Sequence, residues 1–186
     1  MPENNSVNIV NIGLGCSTFN LAVYLANTLN MSEYNKLDTI YPLVSGEITS
    51  IGLACGNGWR KVFNVYSKLL YELDPTYFPY RCLAPTWRLY RDNFLLQQGS
   101  GTALLFTPPI LNKSDDCIHI IMGKTYAKEL INSGKLRSSL IWLDEQFAID
   151  VNSKVIVCPY FDYRQLSNNK IVRLAGLMRG LLNESA

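Results

Sequence analysis

A chain of 186 residues with 48% hydrophobic and 17% charged residues is too apolar to stay disordered and long enough to bury a core without disulfides or metals. Seventeen Lys and Arg against fifteen Asp and Glu leave a net charge of +2, which excludes attraction to nucleic acid or acidic lipid by overall charge alone. The one histidine, His119, excludes any metal site or catalytic relay that needs two.

The expected elements begin with a short buried strand over residues 8–13 (NIVNIG). A turn over Gly13–Thr18 and a helix over residues 19–30 (FNLAVYLANTLN) follow. This strand–turn–helix start is typical of α/β folds. Residues 31–58 are irregular, punctuated by Pro42, Gly46, Gly52, Gly56 and Gly58. Trp59, Val62, Phe63, Tyr66, Leu69, Leu70 and Leu73 then recur at helical spacing, with Arg60, Lys61, Asn64 and Lys68 on the other face. Asp74-Pro75 ends that helix. A proline-broken aromatic loop over 75–84 leads to a helix over 86–97, which Gly99-Ser100-Gly101 stops. Residues 102–106, 117–122 and 154–158 read as buried strands, and 139–143 as a strand or a lead-in to one. Helices are expected over about 125–132 and up to about 182. The last would bury Ile171, Leu174, Ala175, Met178 and Leu182, with Asn168 or Ser167 as its N-cap. Apolar strands alternating with helices predict one α/β domain over residues 1–186. Its expected form is a three-layer α/β/α sandwich with a short, mostly parallel central sheet.

The opening segment, MPENNSVN, is polar and lacks a basic n-region, so no signal peptide is expected. No run approaches the roughly 18 apolar residues needed to span a bilayer, so no membrane is expected among the partners. Cysteines 16, 55, 82, 117 and 158 are odd in number and too far apart for a CxxC pair. Cys117 and Cys158 fall inside strand-like runs. Buried free thiols in a reducing cytoplasm are the simple reading, with no metal and no cofactor.

In open α/β sheets, ligands bind beyond the carboxyl ends of the strands. Gly13–Thr18, Thr107–Pro109, Gly123–Thr125 and Pro159–Ser167 are therefore expected to gather on one edge. Gly13 and Gly15 start a GxGxxG pattern, but Thr18 stands at the third glycine. Either this is a tight turn, or Gly15, Ser17 and Thr18 hold an anion or a base edge at a helix start. Gly123-Lys124-Thr125 lacks the upstream glycine of a P-loop, because Ile118 stands there. Lys124 either points a charge at the site edge or is solvated.

Tyr160 to Asn168 is the most unusual stretch. Tyr160 and Phe161 offer rings for stacking, and Asp162, Arg164 and Gln165 offer a carboxylate, a guanidinium and an amide suited to a planar, polar ligand. The other reading is an Asp162–Arg164 ion pair that fixes a loop whose rings enter the core. His119, between two isoleucines, reads as a core residue. Residues 59–94 hold six basic residues against three acids, interleaved with aromatics. They form either a nucleic-acid face using Arg60, Lys61, Arg88 and Arg91, or two amphipathic helices with solvated charge.

Four short motifs run in order along the chain: Ile12-Gly13-Leu14-Gly15-Cys16, Asn57-Gly58-Trp59-Arg60-Lys61, Ile120-Ile121-Met122-Gly123-Lys124 and Cys158-Pro159-Tyr160. Their order resembles the uracil-DNA glycosylase superfamily, especially its mismatch-specific branch. The resemblance implies that family's α/β sandwich and a nucleobase in DNA as ligand. It departs at the chemistry. Gly15 stands where the family carries a catalytic Asn or Asp, and Cys158-Pro159-Tyr160 where it often carries His-Pro-Ser. The standard glycosylase residues are thus missing.

The expected function is that of a protein that meets DNA or a nucleobase-containing small molecule. Asp162 would be the catalytic carboxylate if the protein is an enzyme. Ligand contacts would come from Gly15, Ser17, Thr18, Lys124, Tyr160, Phe161, Arg164 and Gln165. The alternatives are a non-catalytic binding protein on the same scaffold, or a nucleotide-cofactor protein using the first turn.

Overall fold

The computed structural model describes residues 10–112 and 116–183. The polar opening segment and the first two residues of the strand expected over 8–13 lie outside the described residues. In chain order the elements are β1 (Gly13–Gly15), β2 (Leu21–Tyr24), β3 (Ile40–Tyr41), α1 (Glu47–Ala54) and α2 (Asn57–Glu72). A 3₁₀ turn (Pro79–Cys82) and α3 (Trp87–Asn93) follow. The second half holds β4 (Thr102–Leu105), β5 (Ile118–Met122), α4 (Lys124–Asn132), β6 (Ile141–Trp142), β7 (Ala148–Asp150), β8 (Val155–Cys158) and α5 (Asn168–Asn183).

Among the described residues, all strands join one eight-stranded sheet in the order β3-β1-β4-β2-β5-β8-β7-β6. Its centre, β4-β2-β5-β8, is parallel throughout. Every residue of these four strands is buried, which requires cover on both faces. Leu21 and Val23 point into a large core shared with α1, α2, α3 and α5. Ala22 and Tyr24 point the other way, into a smaller core shared with Ala127 and Leu130 of α4. The layers are thus unequal: four helices on one face, and on the other one helix and the segment around Leu136. Among the described residues, no helix is long and apolar enough to cross a membrane.

The structure corrects two expectations. The helix expected over 19–30 is β2 followed by a loop. Its core, Leu-Ala-Val-Tyr, has no polar side, and a short run buried on both faces suits a central strand better than a surface helix. The turn expected over Gly13–Thr18 begins as strand β1. A β-carbon on Gly15 would stand 2.7 Å from the Cα of Ala103 and overlap the Thr102 carbonyl, and one on Gly13 would overlap the Leu104 carbonyl. These glycines let β1 lie close against β4. The sheet is also mixed, since β1–β4, β7–β8 and β6–β7 pair antiparallel beside four parallel pairings. The flanking strands are only two or three residues long, too short to show alternation in a sequence.

The helices agree more closely. The clearest expected helix is α2, and the last is α5, where Ile171, Leu174, Ala175 and Met178 are buried. The carbonyl of Ser167 accepts the Ile171 amide, as an N-cap residue does. Helix α3 stops at Asn93, short of residue 97. Leu95 and Leu96 are fully buried there, and Leu96 turns the chain at φ 57°.

Candidate functional site

Taken in chain order, the parallel core β4-β2-β5-β8 runs second, first, third, fourth. The order reverses between β2 and β5. A crevice opens at such a switch point, outside the carboxyl ends of the two strands. A cleft of about 430 Å³ lies there. Asn27 reaches it from beyond β2, Met122 to Tyr126 from the end of β5 and the start of α4, and Pro159, Tyr160 and Gln165 from beyond β8. Glu145 and Gln146, just before β7, line it too.

The floor of the cleft is a helix start. Gly123 sits at φ 94°, a conformation that favours glycine, and its carbonyl accepts the Ala127 amide at 3.1 Å. The amides of Lys124, Thr125 and Tyr126 precede that first helical bond and have no acceptor within the helix. Among the described residues, no side chain caps them. Lys124 is half-exposed at the mouth, with Nζ 3.9 Å from Glu145 and 5.3 Å from the centre of the Trp142 ring. Tyr160 is half-buried, and its hydroxyl accepts the Asn27 side-chain amide at 3.5 Å, linking the ends of β8 and β2. Burial and the nearby Glu129 push the Tyr126 phenol upward, so it stays a neutral donor. The cleft therefore combines uncapped amides, one lysine, three side-chain amides and two tyrosines.

Of the sequence-proposed ligand residues, Lys124, Tyr160 and Gln165 meet in this cleft. Asp162 does not line it. Its carboxylate accepts Lys61 Nζ at 2.8 Å and the Arg164 backbone amide at 2.9 Å. These two donors hold its carboxyl below the ordinary value. The ion pair is with Lys61 of α2 rather than with the Arg164 guanidinium, so it straps the loop after β8 onto the four-helix layer. Phe161 is fully buried, edge-on to Tyr66, and is not available for stacking. Arg164 is exposed outside the cleft lining.

Gly15, Ser17 and Thr18 lie at the opposite edge. Because β1 runs antiparallel to β4, its end meets the start of β4, and the Cys16 amide bonds the Thr102 carbonyl at 2.9 Å. Ser17 lines a separate cavity there with Asn20 and His119. His119 is buried, with Nδ1 2.8 Å from the Tyr24 hydroxyl and the two rings stacked. Thr107 is drawn aside by the Ile12 amide, and Pro108 and Pro109 line a cavity beside Lys135 and Arg137. The gathering of four segments on one edge therefore reduces to two, joined by the loop after β2.

Of the proposed nucleic-acid contacts, Lys61 is held by Asp162 and Arg60 bonds Asn57 of its own helix. Arg88 and Arg91 meet over the ring of Trp87. Among the described residues, no group of three His, Cys, Asp or Glu side chains is arranged to hold a metal ion.

One family model matches residues 12–179, which is nearly all of the described fold. The chain belongs to the DUF6942 family, a family of unknown function. No curated protein and no solved structure matches it. Nothing in these comparisons links this family member to the uracil-DNA glycosylases.

The sequence reading missed Asn27, Tyr126 and Gln146. Asn27 became a site residue once Leu21–Tyr24 proved to be a strand, since it stands just past that strand's carboxyl end. Gln146 comes from the turn before β7, a strand too short to anticipate.

Proposed function

We propose that this protein binds a nucleotide-type ligand, an anionic group joined to a planar base, in the cleft between the ends of β2 and β5. The observation that carries the reading is the coincidence of the switch point with an uncapped helix start bearing Lys124. The amides of Lys124 to Tyr126 and the Lys124 ammonium suit a phosphate or carboxylate. Tyr160 supplies a ring, and Asn27, Gln146 and Gln165 supply donors and acceptors for a base edge. Glu129 and Glu145 at the rim suit sugar hydroxyls rather than phosphate. Two of the four glycosylase-like motifs, those ending at Lys124 and at Tyr160, border the cleft and support a nucleobase as the planar part. In this reading Asp162 is a positioning residue: its bond to Lys61 fixes the loop that carries Tyr160 and Gln165.

Thermal unfolding with adenosine and uridine monophosphates, the matching nucleosides and inorganic phosphate tests this. A nucleotide present at about 100 times its Kd should raise Tm by roughly 5–10 °C. The nucleoside should raise it less, and Lys124→Ala should remove most of the difference between the two. No shift with any nucleotide, or equal shifts in Lys124→Ala, would overturn the reading.

A further inference from the structure

The four-helix layer carries a second feature, distinct from the cleft. Trp87, the first residue of α3, is ringed by cations from two helices. The Arg88 guanidinium lies 4.5 Å from its ring centre, Lys68 Nζ of α2 at 5.2 Å and the Arg91 guanidinium at 5.8 Å. The backbone that carries the ring is held, since Ser67 Oγ donates to the Trp87 carbonyl at 2.6 Å and the Thr86 side chain caps α3. Arg91 is also held by the Asn64 side chain and by Asp92. Next to this group, Arg81 lies over the ring of Tyr71 at 5.8 Å, and the Tyr71 hydroxyl bonds the Ala84 carbonyl in the loop before α3.

The charges on this surface do not cancel. Among the described residues, Lys68, Arg81 and Arg88 have no carboxylate within salt-bridge distance. Asp92 neutralises Arg91, and Glu72 stands four residues beyond Lys68 on α2. Four cations thus face two acids. An indole that holds guanidinium and ammonium groups over its faces reduces the side-chain freedom they lose on meeting an anion. Leu83 and Leu89, 51% and 44% exposed, lie in the same stretch of chain as Arg81 and Arg88 and offer apolar surface to solvent.

We infer that this Trp87-centred surface binds the backbone of single-stranded nucleic acid. The cations meet successive phosphates, and Leu83 and Leu89 meet unpaired bases. Charge complementarity argues for a polyanion. The exposed leucines favour an unpaired strand over a duplex, whose bases are turned inward. The inference rests on none of the cleft residues, so its failure leaves the nucleotide reading standing, and the reverse.

The test is fluorescence anisotropy with a labelled oligothymidylate and oligouridylate of about 20 nucleotides, which separates DNA from RNA as the source. Three phosphate contacts predict a slope of log affinity against log salt of about −2, or a loss of about 20-fold between about 50 and about 200 mM salt. Arg88→Glu should weaken binding at least about 10-fold, since it replaces a counterion-releasing contact with a repulsive one. Lys68→Gln should make the slope shallower by about 0.7. Lys135→Glu, after α4 on the other face, should leave binding unchanged. Arg88 is exposed, and circular dichroism checks that its variant is folded. Four results would overturn the inference: no binding at low salt, equal binding by Arg88→Glu, duplex DNA binding as tightly as the single strand, or displacement by polyglutamate as effective as by unlabelled oligonucleotide.

Discussion

The two ends of the parallel strands use polar groups in opposite ways. At the amino end, polar side chains bond to the protein itself. Asp150 is buried, yet its carboxylate accepts the Ser138 hydroxyl and the amides of Ser139, Asn152 and Ser153. His119 bonds Tyr24, and Gly15 lies flush against β4. At the carboxyl end, the start of α4 has no side-chain cap among the described residues, and Lys124 has a long contact to an exposed glutamate and the Trp142 ring beneath it. One end uses Asp150, His119 and the close approach at Gly15 to hold the fold together, although Ser17 and Asn20 border a cavity there. The other leaves polar groups facing a cleft. Both ends carry glycines that read alike in sequence, and strand direction separates their roles.

Substitutions at those glycines should separate the ends most sharply. Gly15→Ala combines backbone overlap with a φ of 127°, and should cost more than about 4 kcal/mol, much of the stability of a domain this size. Gly123→Ala meets open space and faces only its φ of 94°, so about 1–3 kcal/mol is expected. Urea denaturation of the two variants measures both, and equal losses would erase the contrast.

Asp150→Ala should cost about 2–4 kcal/mol, because it leaves three amides and a hydroxyl without their acceptor. Burial pushes the Asp150 carboxyl up, but the Ser138 hydroxyl and the Ser139 and Ser153 amides together hold it below the ordinary value of 3.8. A depressed carboxylate adds stability that is present above its unfolded value and is lost as pH falls through the folded one. Acid unfolding of the wild type should therefore steepen below about pH 4, and Asp150→Asn should flatten that part of the curve. An unchanged acid limb in Asp150→Asn would place the acid sensitivity elsewhere.

At the open end, stability should barely respond to loss of the Lys124 side chain. Lys124→Ala should change it by less than about 0.5 kcal/mol while removing the nucleotide-dependent shift in Tm. A comparably small effect belongs to the strap between the loop after β8 and α2. A double-mutant cycle on Lys61 and Asp162, each 21% exposed, should give a coupling of about 0.2–1 kcal/mol that shrinks in salt. A larger, salt-insensitive coupling would mean that the strap behaves as a buried pair.

The parts of the fold legible in the sequence were those with a long period or a strong boundary. Helix α2 has an apolar stripe over sixteen residues, and β5 and β8 are apolar runs bounded by Gly123 and Pro159. The segment Leu21–Tyr24 carried the wrong period, because four apolar residues in a row fit a helix and a buried strand equally well. That single exchange displaced the site. With β2 read as a helix, the first turn falls on the ligand edge and Asn27 falls inside a helix rather than past a strand end. Lys124, Tyr160 and Gln165 were legible because each follows a strand with clear boundaries. The partner of Asp162 was not, since Lys61 is 101 residues away and only the packing of the four-helix layer brings it near. The cations around Trp87 were half legible. Arg88 and Arg91 stood out by density of charge, while Lys68 joins them only through the contact of α2 with α3.

The position of β4 also has a consequence for assembly. It lies between β1 and β2, pairing antiparallel with one and parallel with the other, although both precede it by most of the first half of the chain. During synthesis, Gly13 to Tyr24 can only leave a slot one strand wide, and nothing fills it until Thr102–Leu105 emerges. Any chain that ends before that strand carries unmatched rows of backbone amides and carbonyls on both sides of the slot, and with them the hazard of pairing with a neighbour. The strand that enters the slot joins the two loose edges, and β5 then covers the far side of β2.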